Sequence, residues 1–111
     1  MCDYKVLSHN ENGYIILCNS CSHYQLAFGT TAVTIEPDNF KVFFEQVKAV
    51  KKDTDGNGFE KQKRISLNIF SRFSMMVLTY DELICLYELL DEAIFNEQVE
   101  TIMQDLNLIQ E

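Results

Sequence analysis

Apolar positions along the chain repeat with two periods. From Tyr4 to Ile35 they recur as short runs or at every second residue, which is strand spacing. Tyr4, Val6 and Leu7 mark a first strand over residues 4–8. His9-Asn10-Glu11-Asn12-Gly13 reads as turn chemistry, with Asn-Gly supplying the positive φ a hairpin needs. Tyr14 to Leu17 is a short apolar run, best read as a buried strand. Tyr24, Leu26 and Phe28 then alternate with His23, Gln25 and Ala27, as in a half-buried strand. Gly29-Thr30 turns the chain, and the β-branched run Thr31-Ala32-Val33-Thr34-Ile35 continues the sheet.

The period changes at Pro37. Proline suits the first helical position, where its missing N–H costs nothing, and Asp38 suits the positive end of the helix dipole. Phe40, Phe43, Phe44, Val47 and Val50 then form one helical stripe facing the sheet, with Lys41, Glu45, Lys48, Lys51 and Lys52 on the outer face. The aromatic stripe reads as core, not as a ligand pocket. Asp53-Thr54-Asp55-Gly56-Asn57-Gly58 ends the helix. Ile65, Leu67 and Ile69 alternate with Ser66 and Asn68, Ser71-Arg72-Phe73 makes a turn, and Met75 to Thr79 forms the returning strand. Thr79-Tyr80-Asp81-Glu82 is a capping box that starts a second helix.

That second helix carries two stripes. Leu83, Leu86, Tyr87, Leu90 and Ile94 share one face. Phe95, Val99, Ile102, Met103 and Leu106 share another, rotated by roughly 120° at ~100° per residue. Either the helix breaks near Phe95-Asn96-Glu97, with Asn96 as a new N-cap, or one long helix buries two faces against different neighbours. The second arrangement opens a route to self-association or to a protein partner through the C-terminal helix.

The order is therefore ββββ-α-ββ-α. Short connections favour antiparallel neighbours, so the expected class is α+β: an antiparallel sheet of about six strands with two helices on one face. Residues 1–111 form a single domain, with 96–111 as a candidate C-terminal helix extension.

Composition fits this picture. A chain of 111 residues that is 47% hydrophobic can build one core without disulfides. No run is long enough to span a bilayer, and no basic region followed by an apolar block marks a signal peptide. A cytoplasmic protein with reduced thiols is the expectation, with no membrane association. A net charge of −8 argues against nucleic-acid binding, which rests on basic groups meeting phosphate. The charge is uneven. Residues 81–111 carry nine acidic side chains and no Lys or Arg, whereas six of the nine basic residues lie between Lys48 and Arg64. Two solvated faces account for this, as does a bipolar molecule that pairs head to tail or meets a basic partner.

Candidate chemistry gathers around Cys18-Asn19-Ser20-Cys21. This Cys-x-x-Cys spacing is half of a zinc site. If residues 10–13 form the first hairpin loop, Cys2 falls opposite Cys21; a two-residue Asn12-Gly13 turn puts it opposite His23. Cys2, Cys18, Cys21 and His23 would then make a closed tetrahedral zinc site, structural and not catalytic. The alternative is thiols buried in a hairpin turn. His9 would lie ~20 Å away at the far end of the hairpin, outside any such set. Thiol redox chemistry is a third reading, but it lacks the helix N-terminus that lowers the thiol pKa in thioredoxin-type pairs. Cys85, among Ile84, Leu86 and Leu89, reads as core packing.

The loop after the first helix offers less. Asp53, Asp55, Asn57 and Gly58 match the start of an EF-hand loop, but Glu60 replaces an apolar residue and Arg64 stands where a bidentate Glu is required. There is no Ser-His-Asp spacing to place, no phosphate-cradling glycine loop and no paired acids on an apolar surface.

The segment Cys18-x-x-Cys21-x-x-x-Gln25-Leu26-x-Phe28-Gly29, the Phe40/Phe43/Phe44 helix and the capped Glu82-Leu83 helix together resemble a family of small bacterial domains of unknown function. The resemblance covers most of the chain and implies a compact cytoplasmic domain. It supplies no activity, substrate or partner. The expected function is a non-enzymatic binding or regulatory module acting through protein contacts, with zinc as a candidate staple; the alternative is a small Cys-x-x-Cys redox protein.

Overall fold

The computed structural model describes residues 3–54, 65–68 and 75–110. Four strands come first: β1 (Tyr4–Asn10), β2 (Gly13–Cys18), β3 (Tyr24–Phe28) and β4 (Thr31–Ile35). Helix α1 (Pro37–Thr54) follows, then β5 (Ile65–Asn68), β6 (Met75–Leu78) and helix α2 (Tyr80–Gln110). The expected α+β order is present. Among the described residues, six strands divide into an antiparallel meander β1-β2-β3-β4 and a separate antiparallel pair β5-β6. The candidate calcium residues Asp55, Asn57 and Gly58, and the Ser71-Arg72-Phe73 turn, lie outside the described residues.

Alternation decides which side chains turn inward. Ile15 pairs with Leu26 and Leu26 with Val33, so one row of the sheet faces the helices. Ile15, Leu26, Phe28 and Ile35 are buried there against Phe40, Phe43 and Val47 of α1 and Leu83, Leu86, Leu90 and Ala93 of α2. Ile65, Leu67, Met76 and Leu78 of the β5-β6 pair close the same core. The aromatic stripe of α1 is core, as its spacing required: the Phe40 ring stacks on Tyr24 with centroids 3.9 Å apart, and Phe44 stacks on Tyr87. The capping box forms as read. Thr79 Oγ1 accepts from the Glu82 N–H at 3.1 Å, and Glu82 Oε1 accepts from the Thr79 N–H at 2.9 Å.

The first hairpin meets one expectation and departs from two. Its turn spans residues 10–13 with Asn10 opposite Gly13, the first of the two registers expected, and the Asn12-Gly13 turn does not form. The Asn10 carboxamide oxygen accepts from the Asn12 and Gly13 N–H groups, so an Asx turn replaces the positive-φ glycine. Gly13 is needed for another reason: a Cβ at this position would run into the Ala27 carbonyl of β3. Finally, the register slips between Val6, opposite Ile16, and Ser8, opposite Ile15. This bulge turns both Leu7 and Ser8 inward, where strict alternation would expose one of them.

The bulge ties the sheet to α2. Ser8 is 2% exposed, and its hydroxyl donates to the Leu89 carbonyl at 2.7 Å. The Leu7 carbonyl, displaced from the ladder, accepts from the Asn96 side-chain amide at 2.6 Å. Asn96 therefore serves the bulge and caps no new helix, since α2 runs unbroken from Tyr80 to Gln110. At ~1.5 Å per residue its 31 residues span ~46 Å, close to the longest dimension of the molecule, 53 Å.

Candidate functional site

Two places merit inspection: the Cys-x-x-Cys turn and the exposed side of α2. The turn leaves the end of β2 at Cys18 and enters β3 at Tyr24 after five intervening residues. The Cys18 N–H donates to the His23 carbonyl and the Ser22 N–H to the Cys18 carbonyl, each at 2.9 Å. Ser22 takes a left-handed φ of 64° to close it. The Asn19 N–H donates to the Asp3 carbonyl at 2.9 Å, so the start of the chain lies beside the turn.

The four predicted ligands fare differently. Cys18 is 1% exposed and engaged in a disulfide, against the expectation of reduced thiols. Cys21 and Cys85 remain thiols; Cys21 is exposed, and Cys85 packs against the core as expected. The Cys21 N–H points at the Cys18 sulfur from 3.5 Å. The His23 ring meets the Cys21 carbonyl through Nδ1 at 3.0 Å; as the donor there, Nδ1 would carry the proton and Nε2 would face outward. Cys2 lies outside the described residues. Because a metal-binding sulfur is a thiolate, zinc at Cys2, Cys18, Cys21 and His23 requires Cys18 in its reduced form. Among the described residues no three His, Cys, Asp or Glu side chains cluster as metal ligands. The turn follows a strand and contains no helix N-terminus that would activate a thiol.

The second place is built from the change of face along α2. Up to Ala93 its inward stripe is apolar and fully buried. One turn later the same face meets the end of the sheet and becomes polar. Tyr24, 8% exposed, donates its hydroxyl to Glu97 Oε2 at 2.6 Å. Glu100 forms an ion pair with Lys5 of β1. Asn96 holds the bulge carbonyl, as above. These three contacts dock the helix through polar groups, and the sequence reading did not identify them. The signal was present as an interruption of the inward stripe by Asn96, Glu97 and Glu100.

Burial pushes the Tyr24 phenol well above its ordinary pKa, and the neighbouring Glu97 carboxylate adds to the rise through its hydrogen bond and charge. The native state keeps this proton above pH ~10, where the unfolded chain loses it. Unfolding therefore releases a proton in that range, and stability falls as pH rises past ~10. Tyr24→Phe is expected to cost about 1.5–3 kcal/mol at neutral pH, because it leaves the carboxylate without its donor. Urea melts from pH 8 to 11 should show the gap between wild type and Tyr24→Phe closing at the alkaline end. A gap that stays constant with pH would sink this assignment.

With the polar face turned to the sheet, the second apolar stripe faces solvent. Phe95 is 61% exposed, Val99 37%, Ile102 59%, Met103 59% and Leu106 51%. Beside it, Lys41 of α1 and Ile94, Glu97, Gln98, Thr101 and Ile102 of α2 border an open groove of about 410 Å³. Surface apolar residues are common singly, but a contiguous helical stripe of five is not. No described helix is long and apolar enough to cross a membrane.

No curated protein and no solved structure matches this chain. A family match does cover residues 1–109. The chain therefore belongs to DUF6686, a family of unknown function.

Proposed function

We propose that this domain is a non-enzymatic interaction module whose working surface is the C-terminal half of α2. One observation carries the reading: Phe95, Val99, Ile102, Met103 and Leu106 stay 37–61% exposed on a helix whose opposite face is held to the sheet by Tyr24, Lys5 and Leu7. A helix docked through polar contacts while it presents large apolar side chains to water has its apolar side available for another surface. The Cys-x-x-Cys turn joins two strands and has no helix N-terminus of the kind thioredoxin-type pairs use, so the exposed stripe of α2 carries the reading instead.

The test compares wild type with Phe95→Glu/Ile102→Glu in quantitative affinity capture from cells of the source organism. Both side chains are exposed, so circular dichroism should show an unchanged fold. Proteins recovered by wild type, copies of the chain itself included, should be depleted at least about 10-fold on the variant. Equal recovery on both would rule the stripe out as the working surface.

A further inference from the structure

We infer that the occupant of this stripe is a second copy of the chain, paired antiparallel through residues 95–106. The inference rests on the interaction-module reading and specifies its partner. Three features lead to it.

The first is spacing. Phe95, Val99, Ile102 and Leu106 are separated by 4, 3 and 4 residues, which is the a/d alternation of a helix-pairing seam. The inward stripe of the same helix does not continue it, because Glu97 and Glu100 occupy that face. In an antiparallel pair the seam is self-complementary: Phe95 falls opposite the second copy's Leu106, and Val99 opposite its Ile102. Each layer thus pairs a larger with a smaller or branched side chain, and the two-fold axis passes between Glu100 and Thr101.

The second is charge. The acidic C-terminal third would be expected to repel its own copy, yet Glu97 and Glu100 are turned away from the seam toward Tyr24 and Lys5. Gln98 and Met103, which flank the centre of the seam, are uncharged, while Glu88, Asp91 and Glu92 border the groove beside Phe95 at its start and Asp105 follows Gln98 by seven residues. In an antiparallel pair the Glu88, Asp91 and Glu92 carboxylates of the two copies lie at opposite ends of the shared segment, whereas parallel pairing would set them side by side. Antiparallel pairing also seats the bodies of the two chains, each chain of net charge −8, toward opposite ends of the shared segment, whereas parallel pairing would bring them side by side.

The third is area. A stripe of five large side chains matches the few-hundred-Å² patch that monomers seldom leave open, and doubling it across a two-fold axis approaches the ~1,000 Å² that specific interfaces clear. An interface at the small end of this range is expected to give a concentration-dependent association.

The experiment uses the full chain in sedimentation equilibrium from about 1 to 300 μM, a span that brackets such an association. Wild type should be a dimer over the upper part of this range. Val99→Glu and Ile102→Lys should each weaken dimerisation at least about 30-fold while leaving circular dichroism unchanged. Mixing the two variants should restore a 1:1 dimer, because position 99 faces position 102 only in the antiparallel arrangement. A monomer throughout, or a dimer indifferent to both substitutions, would overturn the inference. So would two dissociating variants that fail to rescue each other. A monomeric wild type that still captures another protein through the stripe would end the self-pairing inference and leave the interaction-module reading standing; loss of both would end both.

Discussion

Gly13→Ala should be among the most damaging single substitutions in the chain. The strand β2 begins at Gly13, whose backbone crosses β3 so closely that an added Cβ would lie 2.8 Å from the Ala27 carbonyl carbon and 2.9 Å from the Phe28 Cα, with the Ala27 oxygen nearer still. All three are backbone atoms at the end of the β2-β3 ladder, where Gly13 pairs with Phe28, so no side-chain rotation relieves the overlap. Either β2 separates from β3 at this end or the hairpin tilts, and both disturb Ile15 and Leu26 in the core. The expected cost is at least about 3 kcal/mol, with a melting midpoint lowered by more than about 10 °C. Gly29→Ala is the control. Its φ of 60° is unfavourable for alanine, but nothing lies within 4 Å of the added carbon, so only backbone strain of about 1 kcal/mol applies. Thermal melts of the two variants separate the mechanisms. Equal shifts would show that backbone conformation, not steric overlap, accounts for glycine at both positions.

Gly13 also shows where the sequence was legible and where it was not. Local signals read correctly were those with local causes. The Thr79/Glu82 capping box, proline at the start of α1 and the phenylalanine spacing along it each depend on residues within a few positions of one another. Gly13 looked like a turn glycine because Asn-Gly is a strong local hairpin signal. Its actual constraint comes from β3, fourteen residues later, and no local pattern encodes that. The bulge at Leu7 belongs to the same class. Leu7 and Ser8 both turn inward because Leu89 and Asn96, more than eighty residues away, provide partners for a buried hydroxyl and a displaced carbonyl. Without that knowledge a uniform register was the natural expectation, and the one-residue slip moves every predicted neighbour of the chain start.

The candidate metal set illustrates a different limit. The spacing of Cys18 and Cys21 is compatible with zinc ligation, with redox chemistry and with thiols that pack in a turn, since all three need two sulfurs near a tight reversal. The disulfide at Cys18 depends on oxidation state as well as on geometry. By contrast, the mismatch between the two stripes of α2 was visible in the residue order alone. What the sequence lacked was the outcome: one unbroken helix, with the inward face turning polar at Glu97 so that the outer face stays apolar and open.

Packing and the working surface meet at Phe40, and substituting it should couple them. The Phe40 ring is 2% exposed and lies nearly parallel to Tyr24, with an interplanar angle of 6°. Phe40→Ala removes a buried aromatic side chain and opens a cavity between α1 and β3, at an expected cost of about 3–5 kcal/mol in urea denaturation. Phe40→Leu should recover more than half of that, since it refills most of the volume. The remaining difference contains the stacking contact with Tyr24, worth about 0.5–1.5 kcal/mol. Tyr24 in turn holds Glu97, so a loosened ring weakens the attachment of α2 just where the exposed stripe begins. A double-mutant cycle of Phe40→Leu with Tyr24→Phe therefore should not be additive: once Phe40 is gone, losing the Tyr24 hydroxyl should cost less than it does in wild type by at least about 0.5 kcal/mol. Strict additivity would mean that the ring stack and the Tyr24–Glu97 bond act independently, and that the core does not set the position of the C-terminal half of α2.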